Sequence, residues 1–413
     1  MSNNSKCRSG ALAAWLALAL AGLAISALPG EALAQTQGGW RKELADKAQG
    51  AKDAGQKGNF SEAIRLLKEA KAKGSLSPQE EQGINELLIW AASGAKDNKL
   101  VLETVDERLA TGRVTGADLT RKLRLKATTH YALRDYRNAA ATFDKLSAQG
   151  GLTADDLTML ASCQVALKDF GKATGTLEKA IAANDKAGKS GKNATLLAML
   201  YSAYQETKND PKRMQTLHRW IAVAPTKDTF KYLANSYEIQ SDRDPVVMIN
   251  IYRFGTSKNI LSGEHYSKYA EAALDLSSPG EAVSALEKGM AAGAIKKDDR
   301  NNRLLQDAKT QVERLKATVA QQEKEALATK TGEPEAKLAT AFYTLKNYPK
   351  AAEAAQRAVA EGNLKRADDV NMVLGISLAN SKKSADAKKA FAAAAAANSK
   401  TRGVADLWSS LVG

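Results

Sequence analysis

A short sequence pattern that recurs about every 34 residues is the feature that most constrains what this chain can fold into. Each clear copy begins directly after a polar turn and carries an alanine three residues later. Clear copies begin at Phe60, Tyr136, Phe170, Pro279, Tyr348 and Ser384, and weaker ones at Asp210 and Pro245. The interval from Tyr136 to Phe170 equals the interval from Pro245 to Pro279. A fixed period of this length indicates one supersecondary unit stacked many times.

Small residues occupy three positions of the repeat: nine residues before each clear start, three after it and ten after it. Seventeen of these eighteen positions hold Ala or Gly, and the exception is Leu146. Small side chains let two antiparallel helices approach closely, while larger residues seven positions after each start, such as Leu67 and Phe143, fill the space between pairs. Strong helix formers dominate and hairpin signals for strands are nearly absent, which predicts helical hairpins.

A helix–turn–helix repeat of about 34 residues with this pattern of small and large positions resembles the tetratricopeptide repeat. The resemblance covers most of residues 40–397. It implies an all-α fold, a right-handed superhelical solenoid of stacked antiparallel helix pairs. Proteins of this kind line a concave groove with the first helix of each pair and bind extended peptides or partner helices there.

The pattern divides the predicted mature chain into three parts. Residues 35–295 are interpreted as helical repeats, with degenerate copies over 79–111 and 192–260. Residues 296–330 form either one long helix or a degenerate pair. Residues 331–413 hold the C-terminal repeats and a capping helix.

The N-terminal segment, residues 1–34, has the pattern of a secretory signal peptide. Lys6 and Arg8 precede an apolar run over residues 11–28, which a Pro-Gly pair ends. An A-x-A site follows and predicts cleavage after Ala34. The alternative is an uncleaved membrane anchor, but the Pro-Gly pair and the A-x-A site favour cleavage. The sequence therefore predicts an exported, periplasmic protein with no transmembrane segment after cleavage.

The chain is basic, with a formal charge of +14 from 60 Lys and Arg against 46 Asp and Glu. Since an exported protein does not meet nucleic acid, we expect no nucleic-acid partner. We assign most of the excess positive charge to lysines on solvated helix faces. Any part of this charge that has a function favours acidic partner surfaces or anionic envelope polymers. The predicted mature chain keeps one thiol, Cys163, at a core position of the repeat, which predicts a buried structural cysteine.

The sequence offers no catalytic set. The three histidines, His130, His218 and His265, are far apart and lack the spacing of metal ligands. Gly188-Lys189-Ser190 ends like a phosphate loop, but Ala183 stands where that motif requires glycine. We therefore expect a non-enzymatic protein without catalytic residues, cofactor or metal.

Ten of the 22 aromatic residues of the predicted mature chain lie within residues 201–269. Two interpretations remain open: a bulkier core where the small positions are lost, or aromatic residues that line a binding groove. The repeat register predicts six partner-binding groove residues, which are Ser202, Gln205, Tyr237, Gln240, Glu264 and Glu271.

Three segments, residues 220–242, 280–298 and 374–395, resemble periplasmic repeat proteins associated with TonB–ExbB–ExbD energy-transducing systems. This resemblance implies a scaffold or adaptor in the envelope of a Gram-negative bacterium that is accessory to outer-membrane transport, with TonB- or ExbD-type partners. The alternative is a generic envelope-assembly scaffold, or a binder of peptidoglycan or another anionic glycan.

Overall fold

The computed structural model describes residues 39–329 and 331–412. The predicted signal peptide, residues 1–34, lies outside this part of the chain. Within it the structure has 20 α-helices, one short 3₁₀ helix (Ser190–Asn193) and no strand. The prediction of an all-α architecture of stacked antiparallel helix pairs is confirmed. The chain divides into two compact units, unit 1 over residues 39–213 and unit 2 over residues 214–412.

Unit 1 consists of consecutive helical hairpins. Its helices are α1 (Lys42–Gln56), α2 (Phe60–Ala72), α3 (Pro78–Gly94), α4 (Asn98–Ala110), α5 (Gly116–Ala132), α6 (Tyr136–Ala148), α7 (Ala154–Ala166), α8 (Phe170–Lys186) and α9 (Ala194–Glu206). The next helix, α10 (Asp210–Val223), begins in unit 1 and ends in unit 2.

Unit 2 continues with hairpins and contains one much longer helix. Its helices are α11 (Lys227–Gln240), α12 (Pro245–Ser257), α13 (Glu264–Asp275), α14 (Pro279–Ala291), α15 (Asp299–Thr329), α16 (Gly332–Thr344), α17 (Tyr348–Glu361), α18 (Ala367–Asn380), α19 (Ser384–Ala397) and α20 (Ser399–Leu411).

The repeat register predicted from the sequence matches the helices. All eight predicted copies begin at the first residue of a helix, namely α2, α6, α8, α10, α12, α14, α17 and α19. The small positions are in the core: Ala51, Ala63 and Ala70 are fully buried, and Leu67 is buried between them. Small side chains thus let α1 and α2 approach closely, as the pattern requires.

The degenerate stretch 79–111 still folds as an ordinary hairpin, α3–α4. The first residues of α2, α4 and α6 are evenly spaced, but at a longer interval than the one that separates the starts of α6 and α8. In addition, Ile89, Val101 and Arg108 stand where other copies have small residues, and all three are buried. Because its period is longer and its contact positions hold bulkier residues, this copy does not match the pattern of the other repeats.

Residues 299–329 form a single helix, α15, of 31 residues. Only Ala308 and Ala326 of this helix are buried, so most of its surface faces solvent. It stands between α14 and α16, where the spacing of the repeat would otherwise fit a further hairpin.

A buried network of polar side chains joins four helices inside unit 2. Arg253 of α12 pairs with Glu281 of α14, with nitrogen–oxygen distances of 2.7 and 2.9 Å. The Tyr269 hydroxyl of α13 donates to the same carboxylate at 2.6 Å, as does Ser278. The Arg253 guanidinium also lies 4.7 Å from the ring centre of Tyr343 on α16. Each charge is therefore matched, as burial requires.

The last helix, α20, packs back onto α12. Trp408 donates from its ring nitrogen to the backbone oxygen of Asn250 at 3.0 Å, and its ring meets Phe254 edge-on. Thr401 donates to the Asp368 carboxylate of α18 at 2.7 Å. The apolar face of α12 is thus covered by the chain's own C-terminal helix.

Candidate partner-binding surface

The six predicted groove residues fall on both units. Ser202 and Gln205 lie on α9 in unit 1. Ser202 is half-buried and donates to the backbone oxygen of Ala198 at 3.1 Å, while Gln205 is exposed. The other four lie on α11 and α13 in unit 2.

Tyr237 lies in the core of unit 2, against the prediction that it lines an open groove. Its side chain is 2% exposed, and its hydroxyl lies 2.8 Å from His218 Nε2, with the two rings stacked. Gly403 of α20 packs on the hydroxyl so closely that a Cβ there would lie 2.4 Å from it. Helix α20 covers this position, and the repeat register alone gives no sign of that.

The aromatic residues of this region mainly build core, which supports the first of the two interpretations. Tyr232 is the exception at 38% exposure, with its ring 5.5 Å from that of Trp220. The buried members are Tyr201, Tyr204, Trp220, Phe230, Tyr237, Tyr252, Phe254, Tyr266 and Tyr269.

An exposed isoleucine beside a surface depression marks the most distinctive feature of unit 2. Ile239 of α11 is 83% exposed, more than any other large apolar residue of the described chain. The depression, about 510 Å³ in volume, is lined by Asn235, Glu238, Ile239, Asp242 and Arg243. We call these five residues the Ile239 surface. A large apolar side chain held in water gains free energy when a partner covers it.

Charged side chains brace the Ile239 surface. The Glu238 carboxylate accepts from Arg243 Nε and from Lys268 Nζ of α13, both at 3.2 Å. Partial burial acts to raise the pKa of Glu238, but Lys268 and Arg243 together hold it below its usual value. Lys268 also lies 4.0 Å from Glu264, so one lysine links two carboxylates.

Two of the predicted residues of α13 are brought close to this surface. Burial raises the pKa of the Tyr252 phenol, and the carboxylates of Glu238, Glu264 and Glu271 raise it further. The three carboxylates therefore share one neighbourhood. Glu264 and Glu271 are exposed, as is Gln240 at the end of α11. With Asp242, four carboxylates stand against three cations, Arg243, Lys268 and Lys231, so this patch is acidic in a basic chain.

The turn after α11 carries part of the Ile239 surface and has a strained backbone. Asp242 and Arg243 both adopt left-handed conformations, with φ of 54° and 55°. Residues other than glycine pay a cost there, so surrounding contacts must fix the turn. Arg243 is fixed by Glu238, and Asp244 caps α12 and accepts from Arg366 at 3.0 Å.

No group of three His, Cys, Asp or Glu side chains within residues 39–329 and 331–412 is arranged to hold a metal ion. Cys163 is buried, and burial raises the pKa of its thiol to about 12. A protonated, inaccessible thiol is not a nucleophile.

No helix in the described part of the chain combines the length and the apolar character needed to cross a bilayer.

Comparison with known proteins returns helical-repeat structures at low identity. No family model matches the chain, and no curated protein matches it. A tetratricopeptide repeat protein of Parabacteroides merdae is 13% identical over 65% of this chain and 99% of its own, with a TM-score of 0.35. The TPR2AB domain of yeast Sti1, solved as a complex with pHSP90, is 14% identical over 71% and 98%, with a TM-score of 0.25.

A third similar structure is Naa15/Naa10 bound to HypK-THB. It is 14% identical over 93% of this chain and 61% of its own, with a TM-score of 0.39. All three scores are below 0.5, so the description of the fold rests on the helices themselves.

Proposed function

We propose that this protein is a non-enzymatic scaffold or adaptor of the periplasm that binds other envelope proteins through the Ile239 surface. The observation that carries the proposal is the isoleucine at 83% exposure beside an acidic depression at the end of α11. An apolar anchor in the centre with charges around it is the arrangement typical of protein interfaces.

The chemistry of this surface defines the partner. Because four carboxylates stand against three cations, the matching segment carries Lys or Arg around a pocket or apolar side chain that receives Ile239. Opposite charges on the two sides speed encounter and exclude acidic competitors. Gln240, Glu264 and Glu271 contribute at the edge, which keeps three of the six predicted residues in the proposed site.

Co-purification from envelope extracts tests this binding role. We expect the native chain to recover envelope proteins that Ile239→Asp fails to recover. The matched control is Val359→Asp, which introduces the same charge at an exposed apolar residue of α17. Equal recovery by both variants contradicts the role of the Ile239 surface.

The narrower proposal makes the protein accessory to a TonB–ExbB–ExbD system, with TonB- or ExbD-type components as partners. It is supported by the resemblance of residues 220–242, 280–298 and 374–395 to periplasmic repeat proteins of such systems. Deletion of the gene is then expected to impair uptake of siderophores or vitamins through the outer membrane. Normal uptake after deletion contradicts this version and leaves the generic envelope scaffold.

A further inference from the structure

Two exposed leucines occupy the same position in consecutive hairpins of unit 1. Leu133 is 49% exposed and Leu167 is 43% exposed, and they directly follow α5 and α7. A cation with a left-handed backbone comes next in each case, Arg134 with φ of 59° and Lys168 with φ of 60°. Lys96 holds the same place after α3, with φ of 58°.

These turns do not need a cation. In the first hairpin the equivalent residue is Gly58, with φ of 79°, and its backbone N–H bonds to Gly55 at 2.9 Å. Lys168 makes the same bond, to Val165, at 3.0 Å. Glycine adopts this conformation without the steric cost that a lysine pays. Lys208, Lys346 and Lys382 hold the same place after α9, α16 and α18, so what distinguishes the turns after α5 and α7 is the exposed leucine beside the cation.

Attraction to the helix C-terminus accounts for a cation in these turns but not for the leucine beside it. A cation near the end of a helix is favourable, and helices α3 and α7 have no basic residue in their last turn. The helix dipole gives no reason to expose a leucine beside the cation.

The three turns face the same way because the hairpins are antiparallel and stacked. Helix α5 packs beside α7, and its Arg121 pairs with Glu86 of α3, so the α3–α4, α5–α6 and α7–α8 turns lie at one edge of unit 1. The side chains of Lys96, Arg134 and Lys168 are exposed and form no ion pair within the described chain. Each turn also holds an aspartate that caps the next helix and keeps its negative charge, namely Asp97, Asp135 and Asp169. A second exposed cation, Lys99, Arg137 or Lys172, leaves each of the three segments with a surplus of one positive charge.

We propose that this edge, residues 95–99, 133–137 and 167–172, docks on a membrane surface that contains anionic phospholipid. We call it the basic rim. The cations contact lipid phosphates, and Leu133 and Leu167 enter the boundary between headgroups and acyl chains. A soluble polyanion offers the two protruding leucines no apolar environment, whereas a bilayer offers phosphates and an apolar layer side by side along the whole edge. The proposal is independent of the Ile239 surface, which belongs to unit 2.

Vesicle flotation with the full purified chain tests the proposal. We expect binding to vesicles of phosphatidylcholine and phosphatidylglycerol in equal parts, weakening with added salt, and no binding to phosphatidylcholine alone. The triple variant Lys96→Gly, Arg134→Gly and Lys168→Gly keeps the turns and removes three charges. Its partition coefficient is expected to fall at least about tenfold. Leu133→Ser with Leu167→Ser is expected to lower it at least about fivefold.

The matched control removes three lysines from elsewhere on α6 and α8. Lys145, Lys179 and Lys186 are exposed and lie nine or more residues beyond the starts of these helices. Changing them to Gln gives the same net charge as the glycine triple and is expected to leave binding within about twofold. Thermal unfolding checks that each variant is folded. The proposal is overturned if the native chain does not bind the vesicles, if the control loses as much binding as the glycine triple, or if the leucine variant binds fully.

Discussion

Protonation of His218 is expected to weaken unit 2 as the pH falls. This histidine lies on α10 against Tyr237, whose hydroxyl is 2.8 Å from its Nε2 atom. Burial lowers the pKa of His218 from 6.5 to about 4. In the unfolded chain the imidazole takes up a proton near its usual pKa, whereas in the folded chain it stays neutral until the pH is much lower. Acid therefore favours the unfolded chain.

The size of the effect follows from the two pKa values. Because the pKa of folded His218 is lowered, the free energy of unfolding is unaffected by this residue above pH 6.5 and falls progressively as the pH drops toward 4. Each unit of difference between folded and unfolded pKa corresponds to about 1.4 kcal/mol. The free energy of unfolding is therefore expected to fall by roughly 2 kcal/mol between pH 7 and pH 4.5 on account of this residue alone.

Urea unfolding of the native chain and of His218→Gln at both pH values isolates this contribution. Glutamine retains a polar group for the Tyr237 hydroxyl but takes up no proton. Other titrating groups, including buried His265, are common to both proteins and cancel in the comparison. We expect the variant to lose about 2 kcal/mol less than the native chain over this interval. The same loss in both proteins refutes the reasoning.

Three further predictions concern stability and reactivity. Arg253→Met leaves Glu281 buried without its partner, so the free energy of unfolding should fall by about 3–5 kcal/mol, and Arg253→Met with Glu281→Gln should recover part of it in a double-mutant cycle. Lys168→Gly relieves a left-handed backbone and should raise the free energy of unfolding by about 0.5–1 kcal/mol, measured in urea. Cys163, buried and protonated at neutral pH, should resist thiol reagents in the native chain and react fully in denaturant.

The fold was largely predictable because the repeat pattern records the contacts that stack the hairpins. Small residues such as Ala63 and Ala139 must be small wherever two helices touch closely, so they recur at a fixed period. The prediction weakened where bulky residues took over these contacts, as Ile89 does in α3, because nothing then marks the register.

The candidate site was only partly predictable. Glu264, Glu271 and Gln240 are exposed, as the register suggests, but Tyr237 is buried because α20 folds back onto it from the last part of the described chain. A periodic sequence pattern reports contacts between neighbouring helices of the stack. It does not report a contact between helices far apart in the sequence, such as α20 and α11. Ile239 was missed because one exposed isoleucine at the end of an amphipathic helix looks like core in the sequence.

The central claim, that the Ile239 surface binds another envelope protein, is tested most directly by photo-crosslinking in living cells. A photoreactive amino acid is placed at position 239 and, as the control, at position 327, where Leu327 is 49% exposed on α15. The account predicts a discrete crosslinked product from position 239 and no such product from position 327. Charge reversal of Glu238 and Glu264 is expected to reduce the yield of the product from position 239. The same products from both positions, or none from position 239, contradict it.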